Sequence, residues 1–316
     1  MILILSKLEI KGDVMIIRSY CFFIVLFLSI SPILFAKVPN DFKKEQITLV
    51  KTIETRNCFV SYVIIDGKDY IIKQKKDPKK QFAVVKDALA AWMAELLDIA
   101  HNVGVISYQK DMVGKVKKSF PATIHTIAPG DTVRAQKECK YNAIRLRQFW
   151  ANAKKYEDKG LTKAIISYMT WHDQLPIIVA LDLVIGNSDR HCGNLCYDPQ
   201  TDTFCAIDMD DTFNKDLCGF ACKKIASIFK NEKFTLEELK ALSALRDTLA
   251  LFVKKYKPKK IIAKLHFFSK IAGFVPGNKI YTSTIEKKIK LYEKMIAKTY
   301  VSAQKLIKLI DTIVKA

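Results

Sequence analysis

Several kinds of segment are missing from this chain of 316 residues. It has no internal repeat and no low-complexity linker, which argues against a solenoid or a string of tethered modules. No Cys/His spacing of a zinc finger occurs, and no aromatic-plus-basic pattern of the RNA-binding kind. Nucleic acid is therefore the weakest of the candidate anionic partners. No apolar run comfortably reaches the roughly 20 residues that a membrane-spanning helix needs. Glycine is sparse, at 11 residues. Negative charge is also short: 32 acidic residues face 52 basic ones, a formal charge of +20. The excess is mostly lysine, and much of it is explained by a solvated surface. A charge this far from zero also favours phosphates or an acidic lipid surface as partners. Half the residues are hydrophobic, so a sizeable core can form and wholesale disorder is excluded.

The N-terminus reads as a targeting segment. Arg18 precedes the run CFFIVLFLSISPILFA, which Pro32 breaks and which ends at Ala36. A basic flank, a short apolar stretch and a small residue at the cleavage point make a signal peptide over residues 1–36, with Met15 as an alternative start. The expectation is export. The alternative is an uncleaved anchor over residues 18–36. Removal of residues 1–36 takes away three basic and two acidic side chains and leaves +19. Seven cysteines then remain. They read as buried thiols or disulfide partners, since their spacings are not those of a zinc site.

From residue 48 to 75 the pattern is that of strands. CFVSYVII and DYIIKQK are β-branched and aromatic runs separated by Asp66-Gly67-Lys68, and Asp-Gly between such runs marks a hairpin. Residues 81–100 carry apolar side chains at 85, 88, 89, 92, 96 and 99, one face of a helix. A strand-like VGVISYQK and the segment FPATIHTIAPGDTV follow, with a turn at Pro129-Gly130. Beyond residue 130 the chain is mostly helical, with candidate helices at 140–157, 162–171 and 176–185 and several lysine-rich amphipathic ones after residue 235. Two short runs, NLCY and TFCAID, interrupt them around the turn DPQTD. The expected fold is α+β: an antiparallel β lobe with one helix over residues 37–130, then a larger helical lobe over 131–316.

The segment IGNSDRHCGNLCYDPQTDTFCAIDMDDTF concentrates the chemistry. Its two runs pair as a hairpin, which brings the Asn194 amide oxygen and the Asp208 carboxylate to one edge, with Asp189 five residues before Asn194. Hard oxygen ligands of this kind suit Mg²⁺, which keeps waters and completes its shell with substrate phosphates. Asp189 stands where it can accept or orient a hydroxyl proton. Lys73, on the second strand of the first hairpin, is the cation for the α/β-phosphates of a nucleotide. Glu95, at the edge of the following helix's apolar stripe, is its expected partner.

These residues resemble the phosphatidylinositol 3-/4-kinase-like superfamily, whose pattern is Asp-Arg-His, two variable residues, Asn, then a short hairpin ending in Ile-Asp. CFVSYVIIDGKDYIIKQKKDP is similar to that family's nucleotide-lysine hairpin, particularly in the type II phosphatidylinositol 4-kinase branch. Related loops occur in bacterial toxin-type serine kinases. The resemblance covers about residues 48–215 and implies a two-lobed, protein-kinase-like fold. It makes Asp189 the catalytic aspartate, and it gives His191 a role in proton transfer or γ-phosphate contact. Asn194 and Asp208 become the Mg²⁺ ligands, Lys73 and Glu95 the nucleotide ion pair, and Arg190 a brace for the loop. Residues 124–127, among them Ile124, His125 and Ile127, become the hinge that receives adenine. Two departures stand out. The turn ETRNC has no glycine, so phosphates fall to the backbone or to Thr55. Asp208 is followed by Met209-Asp210-Asp211, whose two extra carboxylates either join a metal shell or repel ATP.

The resulting expectation is a monomeric, ATP- and Mg²⁺-dependent kinase acting on a phosphoinositide lipid or a protein hydroxyl, with an anionic membrane surface as a further partner. The competing expectation is a non-catalytic kinase-fold binding module.

Overall fold

The computed structural model describes residues 47–108, 120–135 and 161–316, apart from Arg56, Asp98, residues 100–102, Arg134 and Lys279. The targeting segment 1–36 and the helix expected at 140–157 lie outside the described residues.

The first part of the chain builds an antiparallel sheet. Strands β1 (Ile47–Glu54), β2 (Cys58–Ile65), β3 (Lys68–Lys75), β4 (Val103–Tyr108) and β5 (Phe120–Thr126) lie in the order β1-β2-β3-β5-β4. Ile65 pairs with Lys68, so Asp66 and Gly67 alone form the turn, with φ of 50° and 74°. Two consecutive left-handed residues suit the right-handed twist of the flanking strands, and Asp-Gly supplies them cheaply. Side chains on β3 alternate in direction, so Lys73 and Lys75 emerge on one face.

Helix α1 (Ala83–Ala94) covers this sheet, packing against β3, β4 and β5, and a 3₁₀ turn, Glu95–Leu97, ends it. Ten of its twelve residues are buried, including its only two charged side chains, Lys86 and Asp87. Between Thr126 and Asp131 the chain leaves the five-stranded sheet. It then enters a three-stranded one of β6 (Asp131–Thr132), β7 (Leu195–Asp198) and β8 (Thr203–Ala206). Gly130, at φ 69°, lies so close to β7 that a Cβ would sit 2.1 Å from the Tyr197 carbonyl oxygen, so only glycine fits there.

The remainder is helical. α2 (Lys163–Met169) and α3 (Gln174–Ile185) precede the β7–β8 hairpin, and α4 (Leu217–Asn231), α5 (Leu236–Lys255), α6 (Pro258–Ile271) and α7 (Ser283–Lys315) follow it. α3 is apolar on all sides and sits in the core, whereas α7 is amphipathic and lays one stripe against α4 and α5. The architecture is α+β: a small antiparallel sheet with one helix, and a larger helical lobe carrying a hairpin. Among the described residues, no helix is long and apolar enough to cross a membrane. The six cysteines among them are free thiols: Cys58, Cys192, Cys196, Cys205, Cys218 and Cys222.

Candidate active site

The loop after α3 is positioned by a buried brace. α3 ends at Gly186 in the left-handed conformation, where a Cβ would meet the Lys215 carbonyl oxygen at 2.4 Å. Asn187 then folds back, its side chain donating to Asp182 Oδ1 at 3.0 Å and its own Oδ1 accepting the Asp189 N–H at 3.0 Å. Arg190 is 1% exposed and reaches in three directions. Its Nη2 pairs with Asp182 Oδ1 at 3.0 Å, and its Nη1 donates to the carbonyls of Asn194 and of Ile207, the latter at 3.0 Å. One guanidinium therefore ties α3, the loop before β7 and the loop after β8 together. Burial pushes the Asp182 carboxyl up even though Arg190 and Asn187 counter it.

On this brace the loop side chains take fixed places. Asp189 is exposed at the cleft. His191 is half-buried, and its Nδ1 accepts the Gly193 N–H at 3.0 Å, which puts the proton of a neutral ring on Nε2. The Asn194 side chain donates to the Asp189 carbonyl at 3.0 Å, which leaves its amide oxygen as the acceptor for a cation. Leu195 pairs with Ala206, and the Ile207 N–H bonds the Asn194 carbonyl at 3.1 Å. The hairpin thus sets Asn194 opposite Ile207, one residue from Asp208. An amide oxygen and a carboxylate at that edge are a donor set that fits Mg²⁺. Among the described residues, no group of three or more His, Cys, Asp or Glu side chains forms a metal cage.

The loop from Asp208 to Phe213 begins and ends in left-handed backbone, with φ of 52° and 58°. Both are non-glycine positions, and strain of this kind collects where a loop must aim a side chain. Here it aims two carboxylates at β3. Lys73 Nζ forms an ion pair with Asp208 Oδ1 and lies 3.5 Å from Asp210 Oδ2, while Lys75 Nζ pairs with that same Asp210 oxygen. Burial alone would raise the Asp208 carboxyl, but Lys73 and Lys75 outweigh it and hold Asp208 below the ordinary carboxylate range. Burial opposes the Lys73 ammonium too, and Asp208, Asp87 and Asp210 together more than reverse it. Of the two carboxylates expected either to join a metal shell or to repel ATP, Asp210 is thus compensated by two lysines, and Asp211 Oδ1 accepts from the Asn214 side chain.

Several expected roles fall elsewhere. The partner of Lys73 is not Glu95. Glu95 is exposed at the far end of α1, about 12 Å along the axis from Asp87 at 1.5 Å per residue. The helix presents its N-terminal half to β3, so Asp87 is the α1 carboxylate that Lys73 feels. Asp87 also accepts the Met209 N–H at 3.1 Å and lies 3.5 Å from His125 Nε2. Burial pushes its carboxyl up to about 7. The Thr55 hydroxyl is committed within its own turn: it donates to the Cys58 carbonyl at 2.9 Å and accepts the Cys58 N–H at 3.0 Å, closing the β1–β2 turn. Ile124 and His125 lie inside β5, laddered to β3 on one side and β4 on the other, so their backbone is committed to the sheet and cannot serve as the hinge. Ile127 lies just past the strand end and is 47% exposed.

Asp87 and Lys75 were missed. Lys75 could have been read from the alternation of Lys-Gln-Lys along β3. Asp87 could have been read from its being one of two charges in an otherwise apolar helix.

The sequence matches no protein-family model and no curated protein. Among solved structures, the chain is similar to the Helicobacter pylori proinflammatory kinase CtkA, at 14% identity and a TM-score of 0.44, over 85% of this chain and 96% of that one. It is also similar to HipA of Shewanella oneidensis MR-1, solved with HipB and operator DNA, at 8% identity and a TM-score of 0.40, over 93% of this chain and 72% of that one. A third is the Rio2 kinase of Chaetomium thermophilum with ADP, Mg²⁺ and phosphoaspartate, at 10% identity and a TM-score of 0.34, over 83% of this chain and 72% of that one.

Proposed function

We propose that this chain is a phosphotransferase of the protein-kinase-like fold, in the manner of the phosphatidylinositol 3-/4-kinase-like superfamily, that moves the γ-phosphate of Mg–ATP to an alcohol. The observation that carries the reading is the Lys73–Asp208 ion pair, which joins residues 135 apart in sequence beside a cleft that Asp189 lines. A non-catalytic scaffold has no need to bring the β3 lysine, the loop aspartate and the hairpin's open edge together at one place.

Each side chain then has a task. Lys73 holds the α/β-phosphates, released from Asp208 as the nucleotide's own charge takes the carboxylate's place. Asn194 and Asp208 would hold Mg²⁺, which, when bound, neutralises the β/γ-phosphate oxygens. Asp189 accepts the proton of the acceptor hydroxyl as the new O–P bond forms and the bond from the γ-phosphorus to the bridging oxygen breaks, leaving ADP. His191, with its proton on Nε2, donates to a γ-phosphate oxygen. Arg190 acts only by fixing the loops. The acceptor is a phosphoinositide or a protein hydroxyl, and export by residues 1–36 would serve delivery to a compartment that supplies ATP.

The test is γ-phosphate transfer from Mg–ATP by the full chain to phosphatidylinositol vesicles or to a mixed protein extract, with Asp208→Asn as the control. Label in either acceptor that disappears in the variant supports the reading, and the labelled acceptor names the substrate class. Absence of label from both, with no Mg–ATP binding, would leave a kinase-shaped binding module.

A further inference from the structure

A groove of about 660 Å³ runs along the seam between α4 and α7, and it shares no residue with the cleft beside Asp189. Its lining mixes apolar and basic side chains. Met295 is half-buried, and Phe220, in the first turn of α4, keeps 49% of its surface exposed. Lys215 and Lys223 come from the α4 side, and Lys298 and Lys305 from α7. Along α7, Met295, Lys298, Ser302 and Lys305 are spaced by three and four residues, so one stripe of the helix faces the groove. The adjacent stripe, with Ile296, Thr299, Ala303 and Leu306, is buried in the core.

A buried carboxylate fixes the groove's shape. Asp216, the N-cap of α4, is 7% exposed and accepts the Gly219 N–H at 2.9 Å and the Ser302 hydroxyl at 2.7 Å. A Cβ at Gly219 would sit 2.6 Å from Asp216 Oδ2, so glycine leaves that carboxylate its place. The Cys222 thiol adds a second tie, donating to the Ser302 carbonyl at 3.6 Å. The two helices are therefore pinned together at Ser302, and the groove is formed before any ligand arrives. Lys298 Nζ lies 3.9 Å from Asp216 Oδ2, which leaves four lysines against one carboxylate. Among the described residues, Lys223 and Lys305 make no ion pair and no hydrogen bond.

We propose that this groove receives an acidic segment of a partner protein, with carboxylates on the lysines and one apolar side chain against Phe220 and Met295. Charge selects that occupant. A chain of formal charge +20 repels a second copy of itself. Its own segments outside the described residues, 109–119 and 136–160 among them, are net basic and fit no better. A concave seam between two helices takes a peptide more readily than a flat bilayer, and the Asp216 carboxylate opposes a continuous run of phosphates. The lysines would steer the encounter, and the apolar contact would hold the complex. The groove lies apart from the nucleotide edge, so the proposal does not depend on phosphate transfer.

The experiment is fluorescence anisotropy of the full chain with a labelled peptide of glutamates flanking a Leu-Phe pair. The same peptide with glutamine for every glutamate, phosphatidylserine vesicles and single-stranded DNA are the comparisons. The acidic peptide is expected to bind at least about tenfold more tightly than the glutamine peptide, and to weaken as salt rises. Charge reversal at two exposed positions, Lys223→Glu with Lys305→Glu, is expected to remove that preference. Phe220→Ser is expected to weaken both peptides by about tenfold, the loss of one aromatic anchor. None of these side chains belongs to the nucleotide edge, so Mg–ATP binding should stay within about twofold of the native chain in each variant. Equal affinity for the two peptides would overturn the proposal, as would no binding of the acidic one, or binding that the reversal leaves untouched. Vesicles or DNA that bind more tightly than the acidic peptide, and lose that binding on the reversal, would overturn it in favour of those partners. A chain that takes the acidic peptide here yet binds no Mg–ATP would sink the phosphotransferase reading and leave the docking groove intact.

Discussion

The back and the front of the site treat charge in opposite ways. Behind the loops, Asp182 and Arg190 are both nearly inaccessible, and Asn187 and two backbone carbonyls complete their hydrogen bonds. In front, Asp208 keeps 40% of its side chain exposed, and Lys75 and Asp210, beside Lys73, line a cleft. The closed group has no capacity left for a ligand and can only hold shape. The open group retains donors, acceptors and net charge that a ligand can use. Position in the fold, rather than residue type, separates scaffold from chemistry here.

Five changes break or sharpen this contrast. The largest effect is expected from Asp182→Ala, which leaves the Arg190 guanidinium buried without its carboxylate. Stability should fall by about 3–5 kcal/mol, read as a lower urea midpoint, and activity should vanish only because the fold does. Asp208→Asn should do the reverse. Transfer from Mg–ATP should drop by roughly 100-fold or more, while the urea midpoint moves little, because the lost group acts on charge in the reaction rather than on packing.

Asp87 lies between the two classes. Its carboxyl is held up at about 7 against an ordinary 3.8, so between those values the native state keeps a proton that the unfolded chain has lost. Stability contributed by this group is present at the acid end of that window and declines as pH rises through it. Asp87→Asn should flatten that decline in a series of denaturation midpoints from pH 4 to pH 7; an unchanged slope would assign the pH dependence elsewhere. The smallest effects belong to the residues that the geometry removes from the site. Thr55→Val should cost on the order of 1 kcal/mol through the lost turn hydrogen bonds, and Glu95→Gln should leave the transfer rate within about twofold.

Much of this was legible in the sequence. The Asp-Gly turn fixed the β2–β3 register, and the spacing from Asn194 to Asp208 defined a hairpin whose open edge gathers the polar residues. Alternation on β3 puts Lys75 on one face with Lys73, a signal that was present but not used. What failed was rotation and depth. Because α1 is buried on nearly all sides, the stripe at 85, 88, 89, 92, 96 and 99 does not tell which carboxylate faces the sheet, so Glu95 and Asp87 could not be ranked by periodicity. The hinge residues were displaced inward because a central strand and the segment just past it look alike in a run such as ATIHTI. The ring over which Lys86 of α1 lies belongs to Tyr292 of α7, some 200 positions later in the chain, and no local pattern announces it.

The central claim is that the Lys73–Asp208 edge is a Mg–nucleotide site. It is tested most directly by titrating ATP into the full chain with and without Mg²⁺, for the native protein and for Asp208→Asn. The account predicts binding that Mg²⁺ strengthens in the native chain and a loss of that Mg²⁺ response in the variant. Binding that ignores both Mg²⁺ and the substitution, or no ATP binding at all, would contradict it.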